Sequence, residues 1–97
     1  SEGEIEVFYE SKNSNDLNMP DNIVLAPNGS VIVCEDGKGT DRLVSINKEK
    51  KISYLAKNAL NSSEIAGVCF SPDHKTLFLN MYKPTITFAI KGPWDKV

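Results

Sequence analysis

Short apolar runs alternate along the chain with polar, turn-forming segments, which is typical of sheets built from short strands. Four such runs lie at residues 23–26, 31–34, 43–46 and 52–56. Asn28-Gly29 between the first two favours a hairpin, because both residues tolerate positive φ. Since no apolar stretch keeps a 3.6-residue period over three turns, helices are not expected. The sequence predicts an all-β fold of antiparallel meander sheets.

The pattern restarts in the second half of the chain. Pro27-Asn28 is echoed by Pro72-Asp73, 45 residues later, and each pair separates two apolar runs. A repeat of this length is in the range of propeller blades. The pattern therefore predicts about two blades of a β-propeller, one over residues 20–57 and most of the next over residues 63–91.

Residues 1–10 are predicted to be the last strand of a preceding blade, because Ile5, Val7 and Tyr9 alternate with other side chains. The whole span 1–97 is then a fragment of one propeller domain. Blades stabilise one another by packing face to face, so two blades alone expose apolar faces. The expected partners are the remaining blades of a parent propeller, or a second copy that exchanges the strand at residues 4–9.

Composition narrows the function classes. The chain has 97 residues, a net charge of −2 and a pI near 5.3, which gives no basic footprint for nucleic acid. No apolar run approaches the roughly 20 residues that span a bilayer, and no targeting signal is recognisable in this sequence. Cys34 and Cys69 lie inside apolar runs, so buried free thiols are expected.

Candidate ligands lie where chain segments enter the predicted blades. In propellers such segments cluster at one mouth of the channel, and Asp21, Asn22 and Glu64 precede the first strands of the two blades. Their oxygens suit a hard cation such as Ca²⁺, although Asp and Asn also cap backbone groups in turns. Glu35 closes an apolar strand and needs a partner, whereas Asp36 next to Gly37 is interpreted as a turn residue.

Glu64, Glu35, Asp21 and Asn22 are therefore the predicted metal-site residues. No catalytic residue is predicted, because His74 is the only histidine, and neither a triad nor a two-histidine metal site is possible. The sequence does not indicate a substrate-binding residue.

From residue 20 to residue 94 the chain resembles the PhoX-type alkaline phosphatases. His74 departs from the family pattern, which has a turn glycine there. The segments that carry the resemblance are, in order, Pro20-Asp21-Asn22-Ile23, Val33-Cys34-Glu35-Asp36-Gly37, Asp41-Arg42-Leu43-Val44, Ser63-Glu64-Ile65-Ala66-Gly67-Val68-Cys69-Phe70-Ser71-Pro72-Asp73, Lys75-Thr76-Leu77-Phe78-Leu79-Asn80 and Thr85-Ile86-Thr87-Phe88-Ala89-Ile90-Lys91-Gly92-Pro93-Trp94.

The resemblance implies the C-terminal part of a six-bladed propeller in a bacterial phosphomonoesterase, secreted or periplasmic, that uses calcium together with iron. It places Glu64 and Glu35 first, then Asp21 and Asn22, among its calcium or metal-shell residues. The fragment alone is expected to be inactive. Two alternatives stay open at this point, a non-catalytic binding or scaffold propeller and a lactonase-like calcium propeller hydrolase.

Overall fold

The computed structural model describes residues 2–59, 63–83 and 85–97. Within these ranges it contains two antiparallel sheets and no α-helix, which confirms the predicted all-β class of propeller-blade-like meanders. The strands of each sheet are neighbours in chain order. The first sheet contains β1 Pro20–Leu25, β2 Val31–Glu35, β3 Arg42–Ile46 and β4 Ile52–Lys57, the second contains β5 Ile65–Phe70, β6 Thr76–Met81 and β7 Ile86–Lys91, and a 3₁₀ helix follows at Trp94–Lys96.

The two hairpins that open the sheets are built alike. In the first, Gly29 adopts φ 87° and its N–H donates to the carbonyl of Ala26 at 2.9 Å. In the second, His74 adopts φ 59° and donates to the carbonyl of Ser71 at 2.9 Å. His74 therefore occupies the left-handed position that glycine fills in the first hairpin, at the steric cost that a side chain has there.

An apolar core holds the two sheets face to face. β1 and β2 lie against β5, so the first strands of the two meanders are adjacent, as in neighbouring propeller blades. In β2 and β6, alternate residues point into this core, in keeping with the two-residue period of a strand. Its buried members are Ala26, Ile32, Cys34, Leu43, Ile65, Val68, Leu77, Leu79 and Trp94.

Residues 2–10 form no strand in the structure. Phe8 and Tyr9 instead pack beside Leu17 against the opposite face of the first sheet, where Val44 and Ile46 are buried. The tyrosine hydroxyl of Tyr54 donates to the carbonyl of Asn15 at 2.8 Å and fastens the segment that follows. A strand needs a neighbour for its backbone groups, so the prediction that residues 1–10 end a preceding blade depends on that blade and stays a prediction.

Cys34 is buried and Cys69 is exposed, and both are free thiols. The predicted burial is right for Cys34 and wrong for Cys69, which pairs with Phe78 on the face of the second sheet that points away from the core. Within the described ranges, no helix is long and apolar enough to cross a membrane.

Candidate metal centre

Three carboxylates from separate segments meet at one end of the two sheets. Asp21 lies in β1, Asp36 directly follows β2 and Glu64 directly precedes β5. Each offers an oxygen atom, and these oxygens lie within 4.8 Å of one another. Asp21 and Asp36 are exposed, and Glu64 is half-buried. The acidic cluster, defined as these three residues, therefore spans both meanders.

Antiparallel pairing explains how the cluster forms. The start of β1 lies beside the end of β2, with Pro20 opposite Glu35. The register shifts between Pro20 and Asn22, so Asp21 lies at an irregularity of the ladder, as expected near functional sites. The N–H of Asp36 donates to the carbonyl of Met19 at 2.8 Å, which fixes the chain next to Asp21.

Like charges perturb the acidity of the cluster. The charge of Asp36 is the main reason that the pKa of Glu64 is raised, and burial, a hydrogen bond with Asp36 and the charges of Asp21 and Asp41 act in the same direction. Deprotonating Glu64 therefore places a negative charge among others of the same sign. A proton or a bound cation relieves this repulsion.

Asp41 is a fourth carboxylate near the cluster, and it is only 1 % exposed. Its Oδ1 accepts the N–H of Gly37 at 2.8 Å, while its Oδ2 is buried without a hydrogen-bond partner among the described residues. Burial raises the pKa of Asp41, and the charges of Asp36 and Glu35 raise it further. An unpartnered buried carboxylate oxygen is costly, so this position favours a positive ligand nearby.

Glu35 is not a member of the cluster, because its side chain is fully engaged elsewhere. It is 1 % exposed, and its two oxygens accept Nε and Nη2 of Arg42, each at 2.8 Å. They also accept the N–H groups of Asn18 at 2.6 Å and Arg42 at 3.1 Å. Burial alone raises the pKa of Glu35, but the hydrogen bonds and charge of Arg42 outweigh it, so the pKa lies below its usual value.

Asn22 joins the two sheets. Its Oδ1 accepts the N–H of Val68 at 3.1 Å. That N–H lies where the ladder between β5 and β6 is irregular, between Ala66 and Cys69, and Gly67 there adopts φ 62°. Asn22 thus satisfies a backbone donor at the bulge, since buried backbone groups need partners.

Asn22→Ala is expected to lower the free energy of unfolding by about 1–3 kcal/mol, because the N–H of Val68 loses its acceptor. Chemical denaturation in urea measures this loss. Asn15→Ala is the control, since the side chain of Asn15 is exposed, and its effect should stay within about 0.5 kcal/mol. Equal stability of the two variants would contradict the bridging role.

Of the predicted site residues, the structure brings together Asp21 and Glu64 and adds Asp36. Asp36 was interpreted as a turn residue, because Asp-Gly is common in turns. Asp41 also had no signal in the sequence, since its burial depends on the packing of the loop 36–41. Cys34 is surrounded by the core, and burial, with the charge of Asp21, raises the pKa of its thiol to about 11. The neutral thiol is a poor metal ligand.

The family model described as Alkaline phosphatase PhoX matches residues 1–85. The match includes residues 1–19, which carried no part of the resemblance seen in the sequence. No curated protein and no solved structure matches the chain significantly. The family match spans most of the chain, and it fits both the all-β meanders and the acidic cluster. The chain therefore belongs to the alkaline phosphatase PhoX family, a family of metal-dependent phosphatases.

Proposed function

We propose that this chain is the C-terminal propeller part of a calcium-dependent PhoX-type phosphatase and supplies carboxylate ligands to its calcium centre. The parent enzyme hydrolyses phosphomonoesters, and the two blades alone are inactive. The observation that supports the proposal most directly is the convergence of Asp21, Asp36 and Glu64 from two blades in a member of a metal-dependent family.

The cluster fits a calcium ion. Calcium binds oxygen at about 2.3–2.6 Å, so two oxygens on one ion are separated by at most about 5 Å. The oxygens of the cluster lie within 4.8 Å of one another. Carboxylates are hard ligands, and calcium takes about six to eight oxygens. In this proposal, water and the other blades of the parent supply the remainder.

Each residue has a defined part in this proposal. Asp21, Asp36 and Glu64 hold the ion, which when bound polarises the phosphate and orients or generates the nucleophile. Asp41 adds negative potential beside the cluster. The ion pair of Glu35 with Arg42 fixes the end of β2 and therefore the position of Asp36. Glu35 and Asn22, also predicted as ligands, take the scaffold role.

Further features of the parent belong to the same proposal. It is exported to the periplasm or secreted, and it uses iron together with calcium. In this proposal the ligands for iron come from other blades, and Cys34 stays in the core, where burial raises the pKa of its thiol to about 11.

Calcium titration tests the cluster. We expect the 97-residue chain to bind calcium in calorimetry, and at about 100 times Kd its Tm should rise by about 10–20 °C. Glu64→Gln should weaken binding by at least about tenfold, because one charged ligand is lost. Glu4→Gln removes one charge from an exposed residue outside the cluster and should leave Kd unchanged. Equal binding by both variants would contradict the assignment.

The pH dependence of the free energy of unfolding, measured with a chelator present to remove calcium, gives a second readout. The pKa of Glu64 is raised in the folded chain, so its contribution to stability is present at low pH and is lost as pH rises through that pKa. Glu64→Gln should remove this loss of stability with rising pH, and Glu4→Gln should retain it.

Assays on the full-length parent distinguish the three functional hypotheses, which are a phosphatase, a lactonase-like hydrolase and a scaffold. Phosphomonoester hydrolysis that chelation abolishes and calcium restores supports the proposal. Hydrolysis of lactones without phosphatase activity would indicate the lactonase-like alternative. A stable parent without chelator-sensitive hydrolysis of either substrate would indicate a scaffold.

A further inference from the structure

Two buried polar residues join the segments that carry Asp36 and Glu64. Asp41 is 1 % exposed and Asn58 is 4 % exposed. Asp41 directly precedes β3 and Asn58 directly follows β4, the strand paired with it. The N–H of Asn58 donates to the carbonyl of Asp41 at 2.9 Å. These two residues, called the buried bridge below, therefore lie together at the end of the first sheet where β2 reaches the acidic cluster.

On one side the buried bridge holds the residue that follows Asp36. Oδ1 of Asp41 accepts the N–H of Gly37 at 2.8 Å, which ties the turn after β2 to the start of β3. The N–H of Asp36 itself is held by the carbonyl of Met19 at 2.8 Å. The backbone is therefore fixed on both sides of the Asp36 side chain.

On the other side the buried bridge holds the residue that precedes Glu64. Nδ2 of Asn58 donates to the carbonyl of Ser63 at 2.8 Å. The segment that follows β6 holds the same two residues, because Oγ of Ser63 accepts the N–H of Lys83 at 2.7 Å and the carbonyl of Glu64 accepts the N–H of Tyr82 at 3.2 Å. Glu64 is therefore positioned from both meanders.

The second carboxylate oxygen of Asp41 indicates a role beyond stability. Oδ2 is buried without a hydrogen-bond partner among the described residues, and such an oxygen is costly. Costly groups of this kind are retained where function needs them. Since this chain already encloses Oδ2, an ion in the cluster cannot reach it without moving the turn. Asp41 is therefore a positioning residue, which acts through Gly37 and through its charge.

Fixed spacing matters more for calcium than for magnesium. Calcium binds six to eight oxygens, whereas magnesium keeps several of its waters and is bound through one or two carboxylates. Asp21 and Asp36 belong to the first sheet and Glu64 precedes the second. All three carboxylates are offered at once only while the two segments stay in place. Selectivity between the two ions depends on such spacing and rigidity.

We propose that the buried bridge sets the selectivity of the acidic cluster for calcium over magnesium, by holding Asp36 and Glu64 at the spacing that calcium needs. The inference rests on the calcium site of the proposed function. Breaking the buried bridge removes one carboxylate from the calcium complex. A magnesium ion held by water and one or two carboxylates loses little. The ratio of the magnesium Kd to the calcium Kd therefore falls.

Calorimetric titration of the 97-residue chain with calcium alone and with magnesium alone tests the proposal. Asn58→Ala should raise the calcium Kd by about three- to tenfold, the effect of one hydrogen bond, and the magnesium Kd by less than about twofold. Asn28→Ala is the matched control. Nδ2 of Asn28 also donates to a backbone carbonyl, that of Val97 at 2.6 Å, but beyond the other end of β1, so both Kd values should stay unchanged.

Two substitutions of Asp41 separate geometry from charge. Asp41→Asn keeps an oxygen for the N–H of Gly37 but removes the negative charge. Because both ions are divalent, the two Kd values should rise by a similar factor, and their ratio should stay unchanged. Asp41→Ala also removes the hydrogen bond and should lower the ratio, as Asn58→Ala does. The two alanine variants break different bonds of the buried bridge, so either one that is folded by circular dichroism decides the question.

The outcomes distinguish this inference from the proposed function. If the native chain binds calcium and a folded alanine variant keeps the native ratio, the selectivity role is overturned and the calcium site stands. A ratio that falls equally in Asn28→Ala would also overturn that role, because the effect would then come from general loss of stability. If the native chain binds no calcium, the calcium site and the inference both fail.

Discussion

Arg42→Ala is expected to lower the free energy of unfolding by about 3–5 kcal/mol, because it leaves a buried carboxylate without its partner. Glu35 is 1 % exposed and Arg42 is its salt-bridge partner at 2.8 Å. The guanidinium of Arg42 also lies 4.5 Å from the centre of the Tyr54 ring. Since small domains have only about 5–15 kcal/mol in total, the variant should lose a large share of its stability. Urea denaturation followed by circular dichroism measures the loss.

Arg42→Lys is the matched control for this prediction. It keeps the positive charge but not the bidentate geometry, so its loss should lie between those of the native chain and Arg42→Ala. The same ion pair also predicts how the stability of the fold changes with pH. The pKa of Glu35 is lowered in the folded chain, so its stabilisation is present above the unfolded pKa and is lost as pH falls through the folded pKa. A loss below about 1 kcal/mol for Arg42→Ala would contradict the assigned role of the pair.

The ion pair matters beyond its own energy because it ties three segments together. Arg42 Nη1 donates to the carbonyl of Asn15 at 2.9 Å, and Glu35 accepts the N–H of Asn18. These bonds hold the N-terminal segment on the first sheet and fix the end of β2. Asp36 follows at the next residue, so a structural ion pair positions one member of the acidic cluster.

The seven strands of the described ranges were foreseeable because local signals and tertiary needs agree there. Pro27-Asn28-Gly29 and Pro72-Asp73-His74 specify turns, and the runs beside them have strand propensity. Residues 4–9 show the limit of the pattern. Ile5 and Val7 alternate as a strand requires, but strand formation depends on a partner that periodicity does not supply.

The candidate site was foreseeable only in part, for a reason of geometry. Asp21 and Glu64 carried a signal because both precede predicted innermost strands. Glu35 and Asp36 are adjacent, so their side chains point to opposite sides, and only register and packing decide which one faces the cluster. Glu35, the more buried of the two, forms a salt bridge with Arg42. Asp36, which the sequence predicts as a turn residue, is a member of the acidic cluster.

Asp41 is the clearest example of information that sequence lacks. Asp41 follows a polar turn and directly precedes β3, and nothing in that local pattern predicts that it is only 1 % exposed. The same holds for Asn22, whose partner Val68 is 46 residues away in sequence. Such contacts follow from the packing of one sheet on the other. The integrity of the acidic cluster should therefore depend on the inter-sheet core.

Leu77→Ala tests that dependence and is expected to lower the free energy of unfolding by about 2–5 kcal/mol, through lost burial and a residual cavity. Leu77 is 0 % exposed in the core between the sheets. Phe78→Ala is the control on the same strand, because Phe78 points to the other face and is 37 % exposed, and its loss should be smaller. Urea denaturation compares the two variants.

The calcium affinity of Leu77→Ala tests whether packing of the core supports the proposed calcium site. Asp21 and Asp36 belong to the first sheet, and Glu64 enters the second. If the two sheets hold the ligands in place, a loosened core raises the calcium Kd even where the chain remains folded, since preorganised ligands bind with less loss of freedom. Calorimetry on folded protein at low temperature separates affinity from stability. A Kd unchanged from that of Phe78→Ala would contradict the dependence of the cluster on the core.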